Sequence, residues 1–92
     1  MQVAADPSGE LAFVETALTA PAGEDTFEFT NDSEVPHNFA IEAGDGGDVG
    51  ATKTITGGSD SVTVSLKPGT YIFYCQVPGH VQAGMKGTIT VE

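Results

Sequence analysis

No window of about eleven residues in this chain carries apolar side chains at helical spacing, whereas strict apolar/polar alternation recurs in short runs. Successive side chains of a strand point to opposite faces, so each run has one face to bury. Phe27 and Phe29 flank Glu28 in TFEFTN, and Val62, Val64 and Leu66 alternate through SVTVSL. Tyr71, Phe73 and Cys75 share a face of YIFYC, His37, Phe39 and Ile41 share one of HNFAIE, and Ile89 and Val91 one of KGTITVE. ELAFVETALTA, residues 10–20, reads as a first strand broken near Glu15 and Thr16. Turn residues separate the runs at intervals of about 8–12 residues, the spacing of a sandwich or barrel. In LKPGTY a Pro–Gly turn precedes Tyr71, which is placed to bond back to nearby backbone as in the tyrosine corners of Greek-key sandwiches. The pattern predicts an all-β, two-sheet Greek-key sandwich or barrel of about seven to eight strands, one domain over residues 1–92. One short helix fits within residues 43–52.

Stability in such a small domain needs a source beyond disulfides, because a lone cysteine cannot form an internal one. A core is available, since 39% of the 92 residues are hydrophobic. Thirteen acidic residues against three lysines (Lys53, Lys67, Lys86) give a net charge of −10. Nucleic-acid binding needs basic surface and is excluded; an acidic surface maintains solubility and steers a basic partner inward. No run of about 18 apolar residues could cross a membrane as a helix. No basic segment followed by an apolar run opens the chain, so Met1-Gln2-Val3 reads as the start of a mature form or of an expressed fragment. GDGGD, residues 44–48, lacks the alternating oxygen ligands and distant bidentate glutamate of a calcium loop and reads as a solvated tip.

YCQVPGHVQAGMKG, residues 74–87, gathers Cys75, His80 and Met85 at five-residue intervals. Singly, each has a plain explanation: a buried cysteine is usually a small hydrophobe, and methionine fills gaps. Together with His37, which follows Pro36 at the start of another inward-facing run, they make a different proposition. A thiolate and two imidazoles form a trigonal donor set that binds copper, and a weak, long thioether contact marks a blue-copper site. Structural zinc takes four Cys or His ligands, and one Cys with two His cannot supply them. Tyr74, on the opposite strand face from Cys75, reads as packing.

VPHNFAIE together with YIFYCQVPGHVQAGMKGTITVE resembles the cupredoxin family, the small type 1 (blue) copper proteins. PHNF and the PGTY-to-FYC run are plastocyanin-like; the ligand loop is similar to azurin-like and auracyanin-like ones. The resemblance implies a cupredoxin fold, with His37, Cys75 and His80 as equatorial ligands of one copper ion and Met85 as the axial one. It implies that the Asn38 N–H points at the Cys75 sulfur and that the Asn38 side chain pins the ligand loop. It also implies a distant axial carbonyl from Pro36 and a second hydrogen bond to the sulfur from the Val77 N–H. Four residues separate His80 from Met85, as in auracyanin-like loops; azurin-like loops have three.

One-electron transfer through a Cu(II)/Cu(I) couple is the implied function, without catalysis. His80 is the implied exit, ringed by Pro36, Val77, Pro78, Val81, Ala83 and Gly84 as a small apolar docking patch. The implied partners are redox proteins (a cytochrome, reductase, oxidase or photosynthetic complex) met transiently by a monomer. An exported setting, periplasmic or otherwise outside the cytoplasm, is expected, with any signal or membrane anchor lying outside these residues. The alternative is a copper-carrying module with no electron-transfer role. An enzyme with further copper ions would need more histidines than the two present.

Overall fold

The computed structural model describes residues 1–92 and contains eight strands and no helix. They are β1 (Gln2–Ala4), β2 (Ala17–Ala20), β3 (Gly23–Thr30), β4 (Ala40–Glu42), β5 (Asp48–Ala51), β6 (Ser59–Leu66), β7 (Gly69–Tyr74) and β8 (Lys86–Val91). One sheet has the order β1-β3-β6, the other β2-β8-β7-β4-β5. β1 runs parallel to β3 and β2 parallel to β8, while the remaining pairs are antiparallel. No helix is long and apolar enough to cross a membrane.

The faces follow the alternation. On β3, Phe27 and Phe29 are fully buried while Thr26 and Glu28 are exposed. On β6, Val64 and Leu66 are buried between exposed Thr63 and Ser65, and on β8 Ile89 and Val91 are buried. All five phenylalanines meet in one core. Phe39, just before β4, lies with its ring centroid 5.5 Å from Phe27, 6.3 Å from Phe29, 5.4 Å from Phe73 and 6.2 Å from Phe13. It therefore bridges the two sheets, since Phe27 and Phe29 belong to one and Phe73 to the other. A buried aromatic side chain contributes roughly 1.5–3 kcal/mol through the hydrophobic effect, so this cluster is the main anchor of the segment carrying His37 and Asn38.

The chain passes between the sheets at Lys67–Pro68, and there the Tyr71 hydroxyl accepts the Lys67 N–H at 3.1 Å, as the tyrosine-corner pattern predicts. Two expectations are corrected. Residues 10–20 do break near Glu15 and Thr16, with β2 starting at Ala17, but they are not the first strand: the chain begins with β1, and before the break only Phe13 pairs, in an isolated bridge to Ala5. This segment carries the chain from one sheet to the other, and Phe13 packs between the sheets against Phe29 and Phe73. Residues 43–52 hold no helix: a turn closed by Ala43 N–H to Gly47 O (2.8 Å) leads into β5. There Gly46 takes a φ of +90°, which glycine adopts without penalty.

Gly87 shows how closely β8 approaches its neighbours. A Cβ there would overlap the Phe73 ring and come within 2.6 Å of the Thr16 carbonyl oxygen, a backbone atom already accepting the Thr88 N–H. Gly87→Ala is expected to destabilise the fold by about 1–3 kcal/mol through overpacking, read as a lower Tm; an unchanged Tm would contradict this packing. Asp25 faces inward on β3 and its Oδ2 is buried without a hydrogen-bond partner. Asp25→Val, opposite Val64 in the β3–β6 register, is expected to raise Tm by removing that desolvated oxygen, and a fall in Tm would show that the oxygen has a partner.

Candidate metal centre

The site is assembled at the end of the sandwich where β7 finishes and β8 begins. Cys75 follows β7 directly, and its N–H donates to the Met85 carbonyl at 3.2 Å, so the two ends of the ligand loop are bonded together. Between them residues 78–84 form consecutive hydrogen-bonded turns. The His80 N–H donates to Val77 O at 3.1 Å, and His80 O in turn accepts the N–H groups of Ala83 and Met85, both at 3.1 Å. Gly79 (φ +86°) and Gly84 (φ +106°) supply the left-handed positions these tight turns need.

His37 comes from the other side of the site. Its backbone exchanges two hydrogen bonds with Ile55, His37 N–H to Ile55 O at 3.1 Å and Ile55 N–H to His37 O at 2.9 Å. Asn38 links this segment to the cysteine. Its N–H donates to Cys75 Sγ at 3.5 Å; its Oδ1 accepts the Gln76 N–H at 2.7 Å, and its Nδ2 donates to Gln76 Oε1 at 2.8 Å. The residue after one candidate ligand is thus doubly bonded to the residue after another.

Three donor atoms converge. His37 Nδ1 lies 3.2 Å from His80 Nδ1, and Cys75 Sγ lies 3.5 Å from His80 Nδ1 and 3.9 Å from His37 Nδ1. A first-row metal with bonds of about 2.0 Å to nitrogen and 2.3 Å to sulfur, held trigonally, needs donor separations of roughly 3.5–3.8 Å. The observed separations of 3.2, 3.5 and 3.9 Å lie around that range, so a small movement of the side chains would meet it. His37 is fully buried and its Nε2 has no hydrogen-bond partner, so nothing in the protein compensates the desolvation of this ring except what its Nδ1 faces. Burial, reinforced by the neighbouring His80, lowers the pKa of His37 and keeps the ring neutral, the form that coordinates metal. One thiol and two imidazoles, with no carboxylate among them, make a donor set suited to copper.

Met85 is fully buried in the same core cluster as Cys75. His80 is 9% exposed, whereas His37, Cys75 and Met85 are at 0%, so His80 alone of the four reaches the surface. Pro36, Pro78, Ala83 and Gly84 are exposed, and Val77 and Val81 half-buried. Val77 departs from expectation. Sγ has a single backbone donor, Asn38; Val77 instead enters the loop through its carbonyl, which closes the turn at His80, and through its side chain packed on the core.

Sequence reasoning passed over several residues that hold the site. Asn31, fully buried, donates to Val35 O (2.9 Å) and Ile55 O (2.7 Å) and accepts from Ser33 N–H and Oγ (3.0 and 2.7 Å). It thereby fastens the loop before Pro36 to the strand-like segment that pairs with His37. The Asn-Asp-Ser run is a turn composition that could have flagged it. Gln76 and Thr52 carry no comparable signal. Tyr74 donates its hydroxyl to Asp48 at 3.0 Å; burial, with this bond and the nearby acidic charges, raises its pKa, so it stays a neutral phenol.

Comparison with known proteins agrees with this geometry. The profile of copper binding proteins of the plastocyanin/azurin family matches residues 1–92. Plastocyanin of Ulva prolifera is 41% identical over 91 residues, covering 91% of this chain and 90% of that protein. The crystal structure of dithionite-reduced auracyanin from the photosynthetic bacterium Roseiflexus castenholzii superposes with a TM-score of 0.91 at 31% identity, covering 99% of this chain and 94% of that one. A copper-containing nitrite reductase of Neisseria meningitidis is 41% identical over 73 residues, but these are only 19% of the enzyme. The chain has the cupredoxin fold and belongs to the plastocyanin/azurin family of copper-binding proteins.

Proposed function

We propose that His37, Cys75 and His80 hold one copper ion as equatorial ligands, that Met85 supplies the weak axial thioether, and that the ion's charge leaves and enters through His80. The family membership makes the protein a blue copper electron carrier and not a catalyst. The observation that carries the residue assignment is the convergence of Nδ1, Nδ1 and Sγ within 3.2–3.9 Å from segments 38 residues apart. When bound, copper supplies a one-electron couple that a closed β-sandwich cannot supply itself.

The protein's contribution is to keep the donors still. Electron transfer is fast when the ligands rearrange little, and these ligands are fixed by the Cys75–Met85 bond, the Asn38–Gln76 pair and the Ile55 bridge. The Asn38 N–H stabilises the electron-rich sulfur of the reduced state and so raises the potential. Pro36 would offer the distant carbonyl that the family resemblance implies. Three of the four candidate ligands are sealed from solvent, which favours the electron, and not the ion, as the species that moves and speaks against a copper carrier.

The docking patch proposed around His80 is Pro36, Val77, Pro78, Val81, Ala83 and Gly84, each exposed or half-buried. That small patch suits brief encounters with a redox protein, and the charge of −10 suits a basic one. The 92 residues act as one monomeric domain in an exported setting, where cytoplasmic thiols do not compete for copper.

Adding Cu(II) to the purified chain is expected to give an intense thiolate-to-copper absorption that bleaches on reduction. Cys75→Ser should abolish it; Met85→Leu should keep the colour and raise the potential. A colourless wild-type protein would refute the ligand assignment. For the exit, Ala83→Lys is expected to slow electron exchange with a basic cytochrome roughly tenfold and to weaken its dependence on ionic strength. Unchanged exchange would place the exit elsewhere.

A further inference from the structure

The hydrogen bond from Asn38 N–H to Cys75 Sγ is the one backbone bond to the sulfur, and its geometry depends on how residues 38 and 39 are held. Neither candidate ligand beside them does the holding. Thr52, just past β5, grips this pair with three of its own groups. Its Oγ1 accepts the Phe39 N–H at 3.0 Å, its N–H donates to Phe39 O at 2.9 Å, and its carbonyl accepts Asn38 Nδ2 at 3.4 Å.

The hydroxyl is oriented for this task. Its proton goes to Lys53 O at 3.0 Å, which leaves a lone pair for Phe39. A β-branched side chain has few χ1 rotamers, so Oγ1 stays where it is needed. Thr52 is 7% exposed, so the Phe39 N–H has no ready solvent substitute if that acceptor is lost. The segment is moored as well. Lys53 N–H donates to Asp60 Oδ2 at 2.9 Å, a bond that holds the Asp60 carboxyl below its usual range. Two residues beyond Lys53, Ile55 pairs with the His37 backbone.

We propose that Thr52 is a positioning residue for the copper site, setting the Asn38 N–H···Sγ bond through the Asn38–Phe39 backbone and thereby the reduction potential. The potential part of this inference rests on Cys75 being a copper ligand; the positioning part does not. Thr52 touches none of His37, Cys75, His80 and Met85 through a hydrogen bond, so any effect on the sulfur must pass through Asn38 and Phe39.

The test compares Thr52→Val, which keeps the shape and removes the hydroxyl, with Thr52→Ser, which keeps the hydroxyl. In metal-free protein, amide hydrogen exchange at Asn38 and Phe39 is expected to accelerate in the valine variant and to return close to wild type in the serine variant. In copper-loaded protein, the valine variant should shift its thiolate-to-copper band and lower the reduced-to-oxidised ratio at the wild-type midpoint about fivefold, the effect of weakening one ordinary hydrogen bond. The serine variant should restore both. If the valine variant does not fold, Thr52→Ala replaces it with the same expectations. A variant that loses thermal stability but keeps wild-type exchange at Asn38, band and midpoint makes Thr52 merely structural and overturns the proposal. A wild-type protein with no charge-transfer band would instead refute the ligand assignment, leaving the exchange comparison to decide the role of Thr52.

Discussion

The clasp between Asn38 and Gln76 is the interaction on which the rest of the site depends. Its two short hydrogen bonds, 2.7 and 2.8 Å, join the residue after His37 to the residue after Cys75. The β4–β7 ladder brings the two segments side by side, with Ala40 opposite Tyr74, and the clasp ties them together beyond the point where that ladder ends. With it, the position of each is tied to the other, and the Asn38 N–H is left facing the sulfur. The clasp works because Phe39, one residue further, is locked between the sheets by four other phenylalanine rings. Core packing and site geometry are therefore one problem in this molecule: the same three-residue step carries a candidate ligand, its hydrogen-bonding neighbour and a central core side chain.

The electrostatic design follows from burial. Two imidazole nitrogens 3.2 Å apart can share one proton in a hydrogen bond, and with a sulfur beside them they equally offer their lone pairs to a cation. Burying His37 carries a cost, its unpartnered Nε2. The fold carries this local cost because its large apolar cluster supplies stability elsewhere, a common arrangement at functional sites. Apart from the inward-facing Asp25, no acidic residue is buried and none joins the donor set, so they can influence the approach of a partner without entering the coordination chemistry.

Much of this was legible in the sequence, and the parts that were not have a physical reason. Period-two alternation in β3, β6, β7 and β8 identified which side chains face the core, because one buried face imposes that pattern. The convergence of His37 with Cys75 and His80 was readable from residue types, since few combinations other than copper use them together. Residues 10–20 break where expected, but the part before the break is no strand because Phe13 and the crossing segment serve packing between sheets and not pairing within one. The scaffold of Asn31, Thr52, Ile55 and Gln76 acts mostly through backbone groups, and a backbone hydrogen bond leaves almost no trace in side-chain identity. Val77 is the converse: a loop resemblance suggested a second bond to the sulfur, but the one backbone donor there is Asn38.

The central claim is that the protein presents a fixed set of two imidazole nitrogens and one sulfur to copper, with little change between its two oxidation states. X-ray absorption at the copper edge, recorded on the oxidised and reduced protein, measures this directly. The account predicts one short sulfur and two nitrogen neighbours in both states, with only slight changes in their distances. Loss of the sulfur, loss of a nitrogen on reduction, or a shell of oxygen neighbours would contradict it.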